Sequence, residues 1–162
     1  GYKAQMCPDL VREILRDGHE IGIHSFTHDR FLSLRKPSII CNELERTKQL
    51  LEGIAAYPVD LFRPPVGHVS PRTASAVEQL DLHIVAWSVS GRDGLASAKP
   101  DDVACRIVRN IAPGAILLMH DASENGDREP AGIAVLERVL TAIAAAGLTT
   151  VPVSAFVNRN ST

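Results

Sequence analysis

The sequence predicts an α/β domain built on parallel strands. Short, mostly apolar runs of 4 to 6 residues recur along the chain. They alternate with segments of helical periodicity, giving roughly five strand–helix steps. The runs are nearly continuous in apolar character, as strands buried on both faces require. Several of them end in polar or reactive side chains. A parallel fold gathers such carboxyl ends on one face, whether the sheet closes into a barrel or stays open and doubly wound.

Composition narrows the function classes. The chain has 162 residues, 45% hydrophobic and 22% charged, which is enough to bury one core, so a single domain over 1–162 is expected. A net charge of −2 gives no footprint for nucleic acid, and 4% aromatic residues leave little for stacking platforms. No apolar run approaches the ~20 residues of a membrane span, and no signal peptide is visible. Cys7, Cys41 and Cys105 are odd in number and far apart. They indicate neither a disulfide framework nor a cysteine metal site.

The elements follow in order. Pro8 to Asp17 reads as a helix with Leu10, Val11, Ile14 and Leu15 on its apolar stripe and Gly18 just past its end. Glu20 to His24 is the first strand. Pro37 opens a second helix, with Ile40, Leu44, Thr47 and Leu51 on one face and Gly53 as its stop. Val59 to Phe62 is a strand ending at Arg63-Pro64-Pro65-Val66-Gly67. Ser70 caps the next helix, with Pro71 at its first position. His83 to Trp87 is a strand that closes into a polar, Gly-bearing stretch, Ser88 to Gly94. Pro100 starts another helix, which Pro113-Gly114 breaks. Ala115 to Met119 is the most apolar strand and ends at His120-Asp121. An acidic loop, Ser123 to Pro130, leads to a long helix, Gly132 to Ala146, and a last strand, Leu148 to Val153. Asn158 to Thr162 reads as a frayed tail.

His24 and His28 stand four residues apart just after the first strand. Either a helical turn or a tight turn at the strand end would let both rings reach one metal ion. Taken singly, the other candidates have ordinary alternatives. Arg63 also reads as a surface arginine, Asp93 as a turn former or helix cap, Trp87 as core and His120 as a hydrogen-bonded structural residue. Their joint occurrence at the ends of successive strands is what marks a site.

These residues carry a resemblance to a known family. Gly18-His19-Glu20-Ile21-Gly22 followed by His24-Ser25-Phe26-Thr27-His28, then Arg63-Pro64-Pro65-Val66-Gly67, the Trp87 to Asp93 region and Leu118-Met119-His120 resemble, in order, motifs of the polysaccharide deacetylases, carbohydrate esterase family 4. The resemblance implies a distorted (β/α)7 barrel and hydrolysis of an N-acetyl group, often on N-acetylglucosamine. It implies that His24 and His28 bind a divalent metal ion, zinc first, with cobalt or another divalent ion as alternatives. His120 would be the acid that protonates the leaving amine, Arg63 would hold a base aspartate, and Asp93 would orient Arg63 or His120. The Val66 backbone N–H would face the carbonyl oxygen, and Leu118 would line the acetyl pocket near Trp87.

The departures are specific. The family's Thr-Phe-Asp-Asp motif, which supplies the base and the third metal ligand, has no match here. The expectation is therefore a domain whose first strand-helix-strand segment, ~30 or more residues, is absent from this chain; that segment is itself an expected partner. The 162 residues alone are then expected to be inactive. Val66 replaces an aromatic residue, and Ser90 and Gly94 replace an aspartate and a tryptophan. The expected partner is an acetylated amino sugar or polysaccharide, which implies the cell envelope or the extracellular space. Two alternatives stay open: a non-catalytic carbohydrate-binding or assembly module on the same barrel, and a related hydrolase of a cyclic purine-derived amide.

Overall fold

The computed structural model describes residues 1–122 and 128–157. The first five residues of the acidic loop, 123–127, and the tail expected to fray, 158–162, lie outside the described residues. The described chain forms two compact units, Gly1–Ala86 with Val157, and Trp87–Phe156.

The first unit begins with helices α1 (Tyr2–Met6) and α2 (Pro8–Arg16). Its main support is α3 (Pro37–Ala55), which buries Ile40, Leu44, Thr47 and Leu51 at helical spacing. Of these, Ile40, Leu44 and Leu51 pack with Val11, Ile23, Val59, Phe62 and Val77 in one apolar cluster. Gly53 does not stop α3. It faces open space, where a helical glycine costs only about 1 kcal/mol relative to alanine. Ile54 and Ala55 pack against the core and carry the helix on, and Ala56 caps it at φ 60°. Helix α4 (Pro71–Gln79) starts as expected: the Ser70 hydroxyl accepts a hydrogen bond from the Thr73 N–H.

Between the helices, β1 (Leu61–Phe62) pairs in parallel with β2 (His83–Ile84), in the register Leu61↔His83 and Phe62↔Ile84. On the other side of β1, the expected strand Glu20–His24 contributes a single parallel bridge, Ile23↔Phe62. The Ile23 N–H donates to the Leu61 carbonyl at 2.7 Å, and the Arg63 N–H donates to the Ile23 carbonyl at 2.9 Å. The ladders are shorter than the apolar runs because apolar runs report burial, whereas ladders need a neighbouring backbone in register.

In the second unit, β3 (Val89–Ser90) pairs in parallel with β4 (Leu117–Leu118), in the register Val89↔Leu117 and Ser90↔Leu118. β3 lies inside the stretch read from sequence as a polar loop. Helices α5 (Pro100–Val108) and α6 (Ala131–Ala145) cover this pair. Val103, Ala104 and Ile107 meet Val135, Val139 and Ile143 in a second apolar cluster. The expected last strand, Leu148–Val153, does not form. Residues 149–152 are exposed, and Val153–Phe156 is a 3-10 turn. Four exposed positions bury too little apolar surface to hold a strand that no described neighbour pairs. The α/β class with parallel strands therefore stands, with shorter ladders than the sequence implies.

Gly91 follows β3 because α5 comes too close for a side chain. A Cβ there would lie 2.7 Å from Val103 Cγ1 and 2.9 Å from Ile107 Cδ1, both on fully buried residues. Gly91→Ala is expected to destabilise the protein by about 1–3 kcal/mol, the cost of overpacking a filled core. Urea denaturation measures this, and an unchanged midpoint would contradict the packing described.

Candidate functional site

In the first unit the bridge at Ile23 sets His24 beside the end of β1. His24 Nδ1 lies 2.6 Å from the Arg63 carbonyl oxygen. A carbonyl only accepts, so Nδ1 carries the proton and Nε2 keeps its lone pair in the neutral ring. Burial is the main influence on this imidazole and pushes its pKa below the ordinary value; the nearby His28 and Arg63 act in the same direction, against the carbonyl bond. Neutral imidazole is the form that ligates metal.

The chain then turns tightly. Ser25 and His28 both take positive φ, 62° and 60°. The buried Ser25 hydroxyl accepts the His28 N–H at 2.9 Å. This brings the two imidazoles edge to face, ring centroids 4.9 Å apart at 64°. Of the two routes left open by the sequence, the turn at a strand end is the one used. Glu43 of α3 closes the other side of the turn. Its Oε2 accepts the Phe26 N–H, the Thr27 N–H and the Thr27 hydroxyl, each at 3.0 Å.

Two nitrogen donors on one turn suit zinc or cobalt in chemical type. Among the described residues, however, no group of three His, Cys, Asp or Glu side chains could hold an ion.

Arg63 sends its side chain along β2. Nε donates to the Val85 carbonyl at 3.2 Å and Nη2 to the Ala86 carbonyl at 3.4 Å. Burial lowers its pKa, yet a guanidinium remains a cation. Three residues on, Val66 sits at φ 50° in the 3-10 turn Pro65–Gly67, 40% exposed. A β-branched residue at positive φ is a genuine outlier and costs about 1–3 kcal/mol, and such strain concentrates at functional loops.

The second unit holds a tight acid–imidazole pair. Asp93 is fully buried at its side chain, and His120, just after β4, is 43% exposed at its own. Asp93 Oδ2 accepts the His120 backbone N–H at 2.6 Å, and Oδ1 faces the ring Nδ1 at 3.0 Å. Of the two partners expected for Asp93, the structure shows His120. Burial is the largest influence on Asp93 and pushes its pKa up. The ring, the backbone N–H and the positive charge of His120 together outweigh that and leave it below the ordinary value. Leu118 on β4 and Trp87 are both half-buried in this unit.

Three contributors were not legible as site residues. Glu43 lies on α3 between core positions, Ser25 stands between the histidines, and Gly132 sits in the first turn of α6. A Cβ at Gly132 would lie 2.3 Å from Asp93 Oδ2, so only glycine admits the carboxylate there. The one sequence signal was a glycine at the first position of the expected helix, Gly132 to Ala146.

A parallel α/β fold with a paired-histidine turn, an Arg-Pro-Pro loop and an Asp–His pair defines a class, and comparison with known proteins names it. The family model described as polysaccharide deacetylase matches residues 1–85. A peptidoglycan-N-acetylglucosamine deacetylase of Bacillus cereus is 25% identical over 140 residues, 86% of this chain and 50% of its own length. A chitooligosaccharide deacetylase of Azorhizobium caulinodans is 33% identical over 122 residues, 75% of this chain and 57% of its own. The structure of a family 4 carbohydrate esterase from Streptomyces lividans, in complex with acetate, superposes with a TM-score of 0.82 at 26% identity, covering 98% of this chain and 78% of that one. The chain belongs to the polysaccharide deacetylase family. It spans about half to three fifths of the length of the two curated relatives just described.

The Asp93 arrangement has a testable pH consequence. A carboxylate whose folded pKa is depressed contributes its stability above the ordinary value, ~3.9, and loses it as pH falls through the folded value. Asp93 is expected to titrate below the ordinary range in carboxyl-carbon NMR, and in His120→Ala to titrate higher, because burial is then opposed only by backbone N–H bonds, those of residue 120 and of Asp93 itself. An unchanged titration in that variant would contradict the pairing.

Proposed function

We propose that the protein is a metal-dependent hydrolase that removes N-acetyl groups from an N-acetylglucosamine-type sugar or polysaccharide, on the distorted (β/α)7 barrel expected of its family. The observation that carries the reading is the His24–His28 pair, with Nδ1 of His24 committed to the Arg63 carbonyl and Nε2 left to ligate. The relatives described above, named as deacetylases of peptidoglycan and chitooligosaccharide, support the substrate class.

His24 and His28 would hold the ion, zinc first, together with a carboxylate that the described residues do not add to the pair. When bound, such an ion polarises an acetamide carbonyl and lowers the pKa of a coordinated water. The chain's own residues supply the rest. The Val66 N–H meets negative charge on the carbonyl oxygen. His120 gives a proton to the departing amine, since an amide nitrogen leaves poorly as an anion. Asp93 holds the ring through Nδ1, so the opposite nitrogen, Nε2, is the one that delivers the proton. Arg63 neutralises the base carboxylate, and Leu118 and Trp87 shape the acetyl pocket. Peptidoglycan is a wall polymer, so this reading places the protein in the cell envelope or outside the cell. Among the described residues no helix is long and apolar enough to cross a membrane.

With two ligands and no paired base among the described residues, the 162 residues alone are expected to turn over near background. That same two-ligand arrangement also fits a non-catalytic carbohydrate-binding module. Acetate release from N-acetylglucosamine oligomers, with zinc or cobalt added, separates the two readings. The full-length protein should be active and chelator-sensitive, and His120→Ala should lower kcat by ~10²–10⁴ while leaving metal content unchanged. Absence of turnover by the full-length protein would favour the binding module, and an unimpaired His120→Ala would remove His120 from the reaction.

A further inference from the structure

The histidine turn is strained and polar, so something must hold it. Two of its five residues, Ser25 and His28, sit at positive φ, a conformation that persists only when its surroundings over-determine it. Ser25 pins one end by accepting the His28 N–H. Other restraints come from outside the turn: the Tyr2 N–H donates to the Phe26 carbonyl at 2.9 Å, and α3 holds the turn's N–H groups. A single oxygen of Glu43 gathers both consecutive backbone N–H groups, of Phe26 and Thr27, and the Thr27 hydroxyl. Glu43 is itself set rigidly. Ile40, Leu44 and Thr47 around it on α3 are buried, and the Thr47 hydroxyl donates to the Glu43 carbonyl at 2.7 Å. One turn later, Arg46 lies over the Phe26 ring, 3.5 Å from its centroid. Helix α3 therefore grips two consecutive residues of the turn, Phe26 and Thr27, by a carboxylate and by a cation–π contact.

We propose that Glu43 is the positioning residue of the metal site: it fixes the His24–His28 turn in its ligating geometry and so sets metal affinity without being a ligand. The inference rests on the reading of His24 and His28 as ligands. Glu43 acts by bond direction, accepting three donors at one point, rather than by adding negative charge. That distinction separates the conservative variants. Glutamine keeps an acceptor oxygen at the same reach and loses the charge. Aspartate keeps the charge and is one methylene too short. Partners that orient metal ligands typically set affinity by ~10–100-fold.

The test is zinc affinity by isothermal titration on the full-length protein and three variants, with hydrogen exchange at the Phe26 and Thr27 amides and thermal unfolding alongside. Glu43→Gln should stay within about 5-fold of wild type, whereas Glu43→Asp and Glu43→Ala should lose ~10–100-fold. Amide protection at Phe26 and Thr27 should fall in the same order. If Glu43→Ala fails to fold, the Gln and Asp variants decide the matter alone. Equal zinc affinity in all variants, or retention by Asp with loss by Gln, would overturn the proposal while leaving the ligand reading intact. A wild-type protein that binds no zinc would overturn both, and it is recognised because the variants then have nothing to lose.

Discussion

The single parallel bridge between Ile23 and Phe62 is the constraint on which the first unit's site depends. Its two hydrogen bonds, Ile23 to Leu61 and Arg63 to Ile23, tie the segment before the histidines to β1. Because that register is fixed, His24 falls opposite Arg63 and finds its carbonyl. The same register carries Arg63 past Phe62 toward the carbonyls at the end of β2. Ile23 and Phe62 are 1% and 0% exposed, so water cannot compete for the bonds that set this alignment. A one-residue slip would reverse which side chains face the core.

The second unit solves a similar problem differently. Asp93 is buried with its charge, which is tolerable only because both oxygens are engaged by His120. The close approach that allows this is supplied by the absent side chain of Gly132. Each unit therefore orients an imidazole through Nδ1, one by a carbonyl and one by a carboxylate. Under the proposed function, the neutral partner would suit a ring that stays neutral to ligate, and the anionic partner a ring that carries and releases a proton.

Much of this was legible in the sequence, and the rest was hidden for identifiable reasons. Helix starts at Pro8, Pro37, Pro71 and Pro100 were readable because proline and caps act locally. The ends were less so: α3 ran past Gly53 because packing of Ile54 and Ala55 outweighed a small local cost. Strand extents were overestimated, since a ladder depends on a neighbour that periodicity does not reveal, and the strand at Val89–Ser90 was hidden among polar residues. The histidines, Arg63, Asp93 and His120 stood out by residue type and order, helped by the family resemblance. Glu43 could not stand out. Its role is to accept backbone N–H groups 16 and 17 positions away, and such a bond leaves no pattern in the residues it holds.

The central claim is that main-chain contacts preset His24 for ligation through Nε2. Long-range ¹⁵N–¹H NMR of the histidine rings tests it directly, before and after addition of zinc. The structure predicts that His24 is neutral at pH 7 and protonated on Nδ1 in the metal-free protein, and that zinc shifts the Nε2 resonance of His24 while its Nδ1 proton stays in place. A His24 protonated on Nε2, or a ring whose Nδ1 is the nitrogen shifted by zinc, would contradict it.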